Sequence, residues 1–244
     1  MNRNDFRIYA KYYDPIYLQM KDYQKEAEIV KKIIKRFERK RSKTLLDVGC
    51  GTGEHLKYLS SVFRCMGIDV NRSMIKIARN KLPNVRLKVD DMTDFRLKEK
   101  FDVITCLFSS IGYVQDFNNL VGTLENFYEH LNGQGLVLIE PWIFKKEFKK
   151  DYYINICEDE KMKLVRMGTS EIKDSEWLVF MHYLIGEKGR IKHFKELHKM
   201  LASNYKDYLK AFKSTKFTDV EFLKENLWEG CRGLFIAVKT SSGE

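Results

Sequence analysis

Hydrophobic positions fall into three regimes along the chain. Over residues 1–41 they recur at helical spacing, with aromatic side chains at Tyr9, Tyr12, Tyr13, Tyr17 and Tyr23. Pro15 is expected to break the first helix or set a turn there. Over residues 42–144 short apolar runs (45–48, 62–68, 85–89, 101–108 and 136–140) alternate with helical stretches that start at Glu54 and span roughly 117–131. Asn132-Gly133-Gln134-Gly135 reads as a turn before the fifth run. This alternation predicts an α/β unit with a parallel sheet covered by helices on both faces. From about Trp142 the period shortens, and 152–158, 162–172, 176–186 and 190–201 read as antiparallel strands. Lys173-Asp174 and residues 186–189 supply turns between them. A helix at 205–213 and strands at 218–223 and 233–239 close the chain, and Gly243-Glu244 reads as a frayed tail. The expected organisation is an N-terminal helical lid (1–41), an α/β unit (42–144 with 202–240) and a β insertion (145–201) for substrate binding, dimerisation or both.

The first apolar run carries the chemistry. Leu45-Leu46-Asp47-Val48 leads into Gly49-Cys50-Gly51-Thr52-Gly53 and then into a helix. Glycine permits positive φ and close approach of a ligand, and the helix start adds free N–H donors. The spacing is G-x-G-x-G, unlike the G-x-G-x-x-G of dinucleotide sites. The second run ends in Asp69, where a strand-tip carboxylate can accept from both hydroxyls of a ribose. The third ends in Asp90-Asp91-Met92. The glycine turn resembles motif I of the class I S-adenosylmethionine (SAM) methyltransferases. That resemblance implies a Rossmann-like methyltransferase sheet with an antiparallel closing pair. It implies that Asp91 accepts from the adenine amine, with Met92 near the ring. It also places Tyr13, Asp47, Gly49, Cys50, Gly51, Gly53, Asp69, Val70, Met74 and Phe108 around SAM or its product, S-adenosylhomocysteine (SAH).

Composition narrows the setting. The 44% hydrophobic content suits a full core. No apolar run approaches the ~18 residues of a membrane span, and Met1-Asn2-Arg3-Asn4-Asp5 is not an apolar signal segment. Five cysteines without a C-x-x-C pair read as buried reduced thiols in a cytoplasmic protein, with no metal site. The net charge is +10, much of it between Lys31 and Lys43. Because Ile29, Ile33, Ile34 and Phe37 recur at helical spacing there, the run reads as an amphipathic helix with a solvated basic face. RNA binding through that face is the alternative, and a positive surface also suits an anionic small molecule.

Strand-tip position sorts the substrate candidates. After the fourth run stand Ser109, Ser110, Ile111, Gly112 and Tyr113, and after the fifth Glu140, Pro141 and Trp142. DNA amino-methyltransferases carry Asn/Asp-Pro-Pro-aromatic after the fourth strand, whereas this chain has Phe108-Ser109-Ser110-Ile111. Cys106 lacks the neighbouring proline of 5-methylcytosine enzymes and reads as core. His130 lies at the opposite edge, as a helix C-terminal residue favourable to the dipole.

Several segments resemble the N,N-dimethyltransferases of dTDP-linked amino sugars, the desosamine and mycaminose type. They are Tyr13-Asp14-Pro15-Ile16-Tyr17, Lys21-Asp22-Tyr23, Asp91-Met92-Thr93-Asp94-Phe95-Arg96-Leu97, Phe108-Ser109-Ser110-Ile111-Gly112-Tyr113, Glu140-Pro141-Trp142, Ile191-Lys192-His193-Phe194 with Leu197-His198, and Arg232-Gly233-Leu234-Phe235. The chain departs from them at Ile143-Phe144, at Trp228-Glu229-Gly230-Cys231 and in its many lysines. The resemblance implies two methyl transfers to one sugar nitrogen. Tyr17, Glu140 and His193 are the expected catalytic residues. Tyr17, Ser109, Ser110, Tyr113, Trp142, Arg166, His182, His198 and Arg232 are the expected substrate contacts, with the arginines matched to a diphosphate. His182, His193 and His198 are expected to converge from adjacent strands. The partners expected are an anionic nucleotide sugar and a second copy of the chain. Another small amine or hydroxyl substrate remains open.

Overall fold

The computed structural model describes residues 7–224 and 226–239, so the N-terminal and C-terminal readings at Met1–Asp5 and Gly243-Glu244 lie outside it. The chain opens with α1 (Arg7–Tyr17) and α2 (Tyr23–Phe37). Asp22 caps α2 by accepting the Lys25 N–H at 2.9 Å, and Ala27, Val30, Ile33 and Ile34 turn one stripe inward. The lysines between them face outward. Pro15 does not end α1: it sits in the last turn, where only its own N–H is lost, and the Leu18 N–H still reaches the Asp14 carbonyl at 2.9 Å.

The α/β unit then runs β1 (Thr44–Val48), α3 (Glu54–Leu59), β2 (Arg64–Asp69), α4 (Arg72–Lys81), β3 (Arg86–Val89), β4 (Phe101–Cys106), α5 (Phe117–His130) and β5 (Leu131–Ile139). After four insertion strands come α6 (Tyr205–Lys213), β10 (Thr218–Leu223) and β11 (Leu234–Val238). The seven-stranded sheet has the order β10-β11-β5-β4-β1-β2-β3. Only β11 is antiparallel to its neighbours, which leaves β1 beside β4 and β2 and brings their carboxyl ends together. Each inner strand is apolar on both sides because helices cover both faces. Ile104, Ile139, Phe127 and Phe212 fill one layer, and Leu45, Leu56, Val103 and Leu138 the other.

Two local readings are corrected. Asn132-Gly133-Gln134-Gly135 lies inside β5, as an irregular entry between Leu131, paired with Phe101, and Leu136, paired with Val103. Gln134 takes φ 65° there, and its N–H bonds the Lys239 carbonyl at 2.8 Å, so the neighbouring strand absorbs the irregularity. His130 ends α5 but does not oppose its dipole as a cation. Its Nε2 accepts the Leu97 N–H at 3.1 Å, its Nδ1 faces the Asn126 carbonyl at 2.8 Å, and burial lowers its pKa.

The insertion is a separate four-stranded meander, β6 (Tyr152–Glu158), β7 (Met162–Lys173), β8 (Glu176–Glu187) and β9 (Arg190–Leu201), in that order. Strand alternation gives it two distinct faces. Leu164, Arg166, Tyr183 and His198 point inward, while Ile154, Ile156, Leu184 and Ile191 stand exposed on the other side. All five cysteines are free and buried. Among the described residues no helix is long and apolar enough to cross a membrane, and no group of three metal-ligating side chains is assembled.

Candidate active site

Where β1 ends, the chain makes a loop that only glycine accommodates at its first position. Gly49 has φ 71°, and a Cβ there would come within 2.6 Å of Ser110 Cβ. This tight approach lets the loop after β4 close over the loop after β1, with Ser110 Oγ donating to the Gly49 carbonyl at 3.2 Å. Gly51, also at positive φ, has nothing within 4 Å of the place a Cβ would take, so the backbone there faces open space. Asp69, at the tip of β2, accepts the Gly51 N–H at 2.8 Å and the Asn71 N–H at 2.7 Å. Burial pushes its carboxyl pKa up, and those two donors partly offset the effect.

The resulting cleft is open to solvent. Tyr13, Asp47, Gly49, Cys50, Gly51, Phe108 and Ser110 of the sequence-derived set line it. Gly53 caps α3 behind it. Asp47 is buried and accepts the Thr105 hydroxyl at 2.7 Å, and burial raises its pKa to about 6. Asp91 holds the next turn by accepting from the Thr93 N–H and hydroxyl at 3.0 and 2.8 Å, and Met92 Cε approaches Gly49. Val70 is exposed, and Met74 is buried in a cluster with Ala10, Tyr12 and Ile16, against which the cleft-lining Tyr13 also packs.

Sequence reasoning missed Tyr23, Thr52, Glu54, His55 and Leu107 on this wall. His55 is held by Glu26 of α2 at 2.9 Å, and Glu26 also pairs with Lys21 at 2.8 Å. Lys21 in turn lies 4.1 Å from the centre of the Phe108 ring. The helical spacing of α2 hid this cluster, since one buried acid among many charges has no sequence signature.

Helix α1 closes the cleft from above and is fastened on both sides. Asp14 accepts from Thr52 Oγ1 at 2.6 Å and from Lys81 at 2.9 Å, while Lys11 and Tyr12 reach Glu187 of the insertion at 2.8 and 3.0 Å. Tyr17 sits between the two units. Its ring meets Phe108 edge-on at 5.0 Å, and its hydroxyl accepts from Arg166 at 2.9 Å. Arg166 is itself buried and bonded twice to Asn155 Oδ1, at 2.9 and 2.6 Å.

The strand-four and strand-five tips interlock. Phe108 and Ser109 both take positive φ, unusual for non-glycine residues. That bend aims the Phe108 N–H at Glu140 Oε2, 2.7 Å away. Glu140 is buried, not a solvated turn acid: among the described residues its Oε1 has no hydrogen-bond partner, and burial raises its pKa against the pull of Lys21 and Arg232. Arg232 lies over the Trp142 ring at 4.8 Å and donates to Ser109 Oγ at 3.3 Å. Tyr113 Oη stands 2.8 Å from His198 Nδ1.

The expected convergence of three histidines is corrected. His198 points inward, whereas His182 and His193 lie on the outer, exposed face and stack on each other, with Nδ1 and Nε2 3.2 Å apart. His193 and His198 are five residues apart on one strand, so the alternation of side chains sends them to opposite faces. His193 is therefore not brought together with Tyr17 and Glu140.

Residues 45–135 match the model of the methyltransferase domain family. The chain is 33% identical over 239 residues to dTDP-3-amino-3,6-dideoxy-alpha-D-glucopyranose N,N-dimethyltransferase of Streptomyces fradiae, covering 96% of this chain and 92% of the relative. The crystal structure of DesVI from Streptomyces venezuelae superposes with a TM-score of 0.88 at 30% identity, over 95% of this chain and 98% of that one. SAM-bound CalS10, an amino pentose methyltransferase of Micromonospora echinaspora, gives 0.84 at 27% identity, over 98% and 100%.

Proposed function

Because this chain belongs to the SAM-dependent N,N-dimethyltransferases of dTDP-linked amino sugars, we propose that it methylates the 3-amino group of a dTDP-sugar twice, in the space between α1 and the inner face of the insertion. Transfer of methyl from SAM to an amine nitrogen of a small substrate is the activity of the family. The observation that carries the finer reading is the near full-length match to a 3-amino-sugar enzyme, at 33% identity.

The cleft fits the cofactor. Its glycine loop leaves open space at Gly51, and the half-buried Asp69 carboxylate stands at the strand tip where a ribose diol would lie. Asp69, the Gly49–Gly53 loop, Asp91 and Met92 would hold SAM. When bound, SAM supplies a sulfonium-activated methyl, to which the neutral amine forms its new bond as the thioether leaves. The protein's own part is alignment and exclusion of water, and such alignment is worth on the order of 7–11 kcal/mol. Tyr17 would hold the amine in line, with its hydroxyl fixed by Arg166. Buried Arg166 thus acts on Tyr17, which leaves Arg232 as the half-buried cation for the diphosphate. Glu140 and Trp142 brace the loop that carries Ser109 and Ser110.

The lid (1–41), the SAM-binding unit (42–144 with 202–240) and the insertion (145–201) are proposed as functional divisions. The exposed Ile154, Ile156, Met167, Leu184 and Ile191 on the outer sheet face favour a homodimer through the insertion. Five free cysteines favour a reducing, cytoplasmic setting.

Calorimetric titration of the SAH-loaded protein with a dTDP-3-amino sugar tests the reading, with mass spectrometry of the turnover product alongside. Saturable binding and a dimethylated product are expected. SAH binding with no response to the dTDP-sugar would overturn the substrate and leave the methyltransferase.

A further inference from the structure

The inner face of the insertion holds a carboxylate that none of the site chemistry described above uses. Glu196 of β9 has a side chain only 8% exposed, and among the described residues neither of its oxygens has a hydrogen-bond partner. Burying such a group unsatisfied is unfavourable unless it meets a charge at some stage of the cycle. Two residues further on the same face, His198 Nε2 lies 3.5 Å from Glu196 Oε2. The opposite ring nitrogen, Nδ1, is 2.8 Å from Tyr113 Oη. Tyr113 belongs to the 3-10 turn Ser110–Tyr113 beyond the β4 tip, and the residue as a whole is 42% exposed. Glu196, His198 and Tyr113 therefore form a line from the buried sheet face to the open side of the site.

We infer that Glu196 is a positioning residue that, through His198, makes the Tyr113 hydroxyl oxygen the proton acceptor for the substrate amine. The inference rests on the amino-sugar reading above. A carboxylate facing Nε2 favours the tautomer with the proton on Nε2. Nδ1 is then an acceptor, Tyr113 donates its hydroxyl hydrogen to it, and the lone pairs of Tyr113 turn toward the substrate. After one methyl transfer the nitrogen is a secondary ammonium and has no lone pair for a second. Its N–H bond breaks as that proton moves to Tyr113 Oη. The original Tyr113 hydroxyl proton moves to His198 Nδ1, and Glu196 offsets the imidazolium charge. The secondary amine regains its lone pair, and the proton returns to water when product leaves.

The titratable groups whose charge reaches Tyr113 are Tyr17 from α1, Asp69 from β2, Tyr153 from β6 and Glu196 from β9, while Arg166 from β7 acts on the neighbouring Tyr183 of β8. Of the charged groups, Glu196 is the anion set against His198, at 3.5 Å.

The test compares wild type, Glu196→Gln, Glu196→Asp and Tyr113→Phe on a dTDP-3-amino sugar across a pH series, with mono- and dimethylated products counted. Glu196→Gln is expected to lower kcat about 10²-fold near pH 7, the low end for a positioned proton acceptor. Its KM should stay within about twofold, because the carboxylate itself does not touch substrate. Monomethyl product should accumulate, and the defect should shrink as rising pH deprotonates the amine in solution. Glu196→Asp should restore part of the rate, which a packing role would not do, and the half-exposed Tyr113→Phe should reproduce the Gln profile. Wild-type turnover with an unchanged pH profile and product ratio in both Glu196→Gln and Tyr113→Phe would overturn the relay alone. Absence of turnover by wild type would overturn the amino-sugar reading, and the relay with it.

Discussion

Glu26 offers a sharp test of how the lid is held. Its side chain is 3% exposed and pairs with Lys21 at 2.8 Å and with His55 at 2.9 Å. Glu26→Leu strands the Lys21 ammonium, itself only 7% exposed, in an apolar setting. Breaking a buried pair from one side destabilises by about 3–5 kcal/mol. Lys21 keeps its contact over the Phe108 ring at 4.1 Å. Such a contact is worth about 1–2 kcal/mol, which puts the expected loss near the lower end, about 3 kcal/mol. Glu26→Leu with Lys21→Met removes both charges, and apolar replacement of a whole buried pair is often neutral, so stability should return to within about 1 kcal/mol of wild type. His55 loses its carboxylate in both variants, so their difference isolates Lys21. Urea unfolding followed by circular dichroism reads this as a midpoint shift at constant m. Equal instability of the single and double variants, or a single variant within about 1 kcal/mol of wild type, would refute the argument. His55 lines the cleft, so both variants should also bind SAH more weakly.

Four further outcomes are expected. Asp47 has its pKa raised from 3.8 to about 6, so the native state holds its proton more tightly than the unfolded chain. That contribution is fully present below about pH 4 and lost as pH rises through about 6, a decline of about 3 kcal/mol that Asp47→Asn should abolish in pH-dependent unfolding. Gly49→Ala forces a left-handed alanine against Ser110, costing about 1–2 kcal/mol for the backbone and about 1–3 for the overlap, with SAH affinity lost in calorimetry. Tyr17→Phe removes a hydrogen bond to a cation worth about 1.5–3 kcal/mol, and should lower kcat about tenfold or more while leaving SAH affinity within about twofold. Ile154→Asp with Ile156→Asp should give a monomer by sedimentation if the outer sheet face is the dimer contact, and an unchanged dimer would remove that proposal.

The parallel sheet was legible because buried strands read as continuous apolar runs, and the insertion because its strands alternate between two faces. The antiparallel segments 152–158 and 190–201 coincide with observed strands for that reason. Pro15 misled because its position within the helix, not its presence, decides whether a helix ends. The start of β5 misled because Leu131 and Leu136 pair with β4 on either side of the glycines, and backbone bonds to Lys239 carry the irregular stretch between them within the strand. At the site, the glycine loop, Asp69 and the strand tips were visible through spacing. Glu26, His55 and Glu196 were not: what singles them out is burial among groups distant in sequence. His193 was placed wrongly because one strand carries it and His198 at odd separation, so they part to opposite faces.

Helix α1 is fastened to the glycine loop by Asp14 and to the insertion by Lys11, Tyr12 and Tyr17. Under the proposed function, one helix thus serves as the roof over both the cofactor cleft and the sugar. Seating one reactant would then steady the roof over the other, and any gain must be reciprocal: the factor by which SAH tightens the sugar is the factor by which the sugar tightens SAH. Titrations run in either order would return that same factor. If neither spent molecule leaves while the roof is down, the turnover clock is set by one lifting motion rather than by two independent departures.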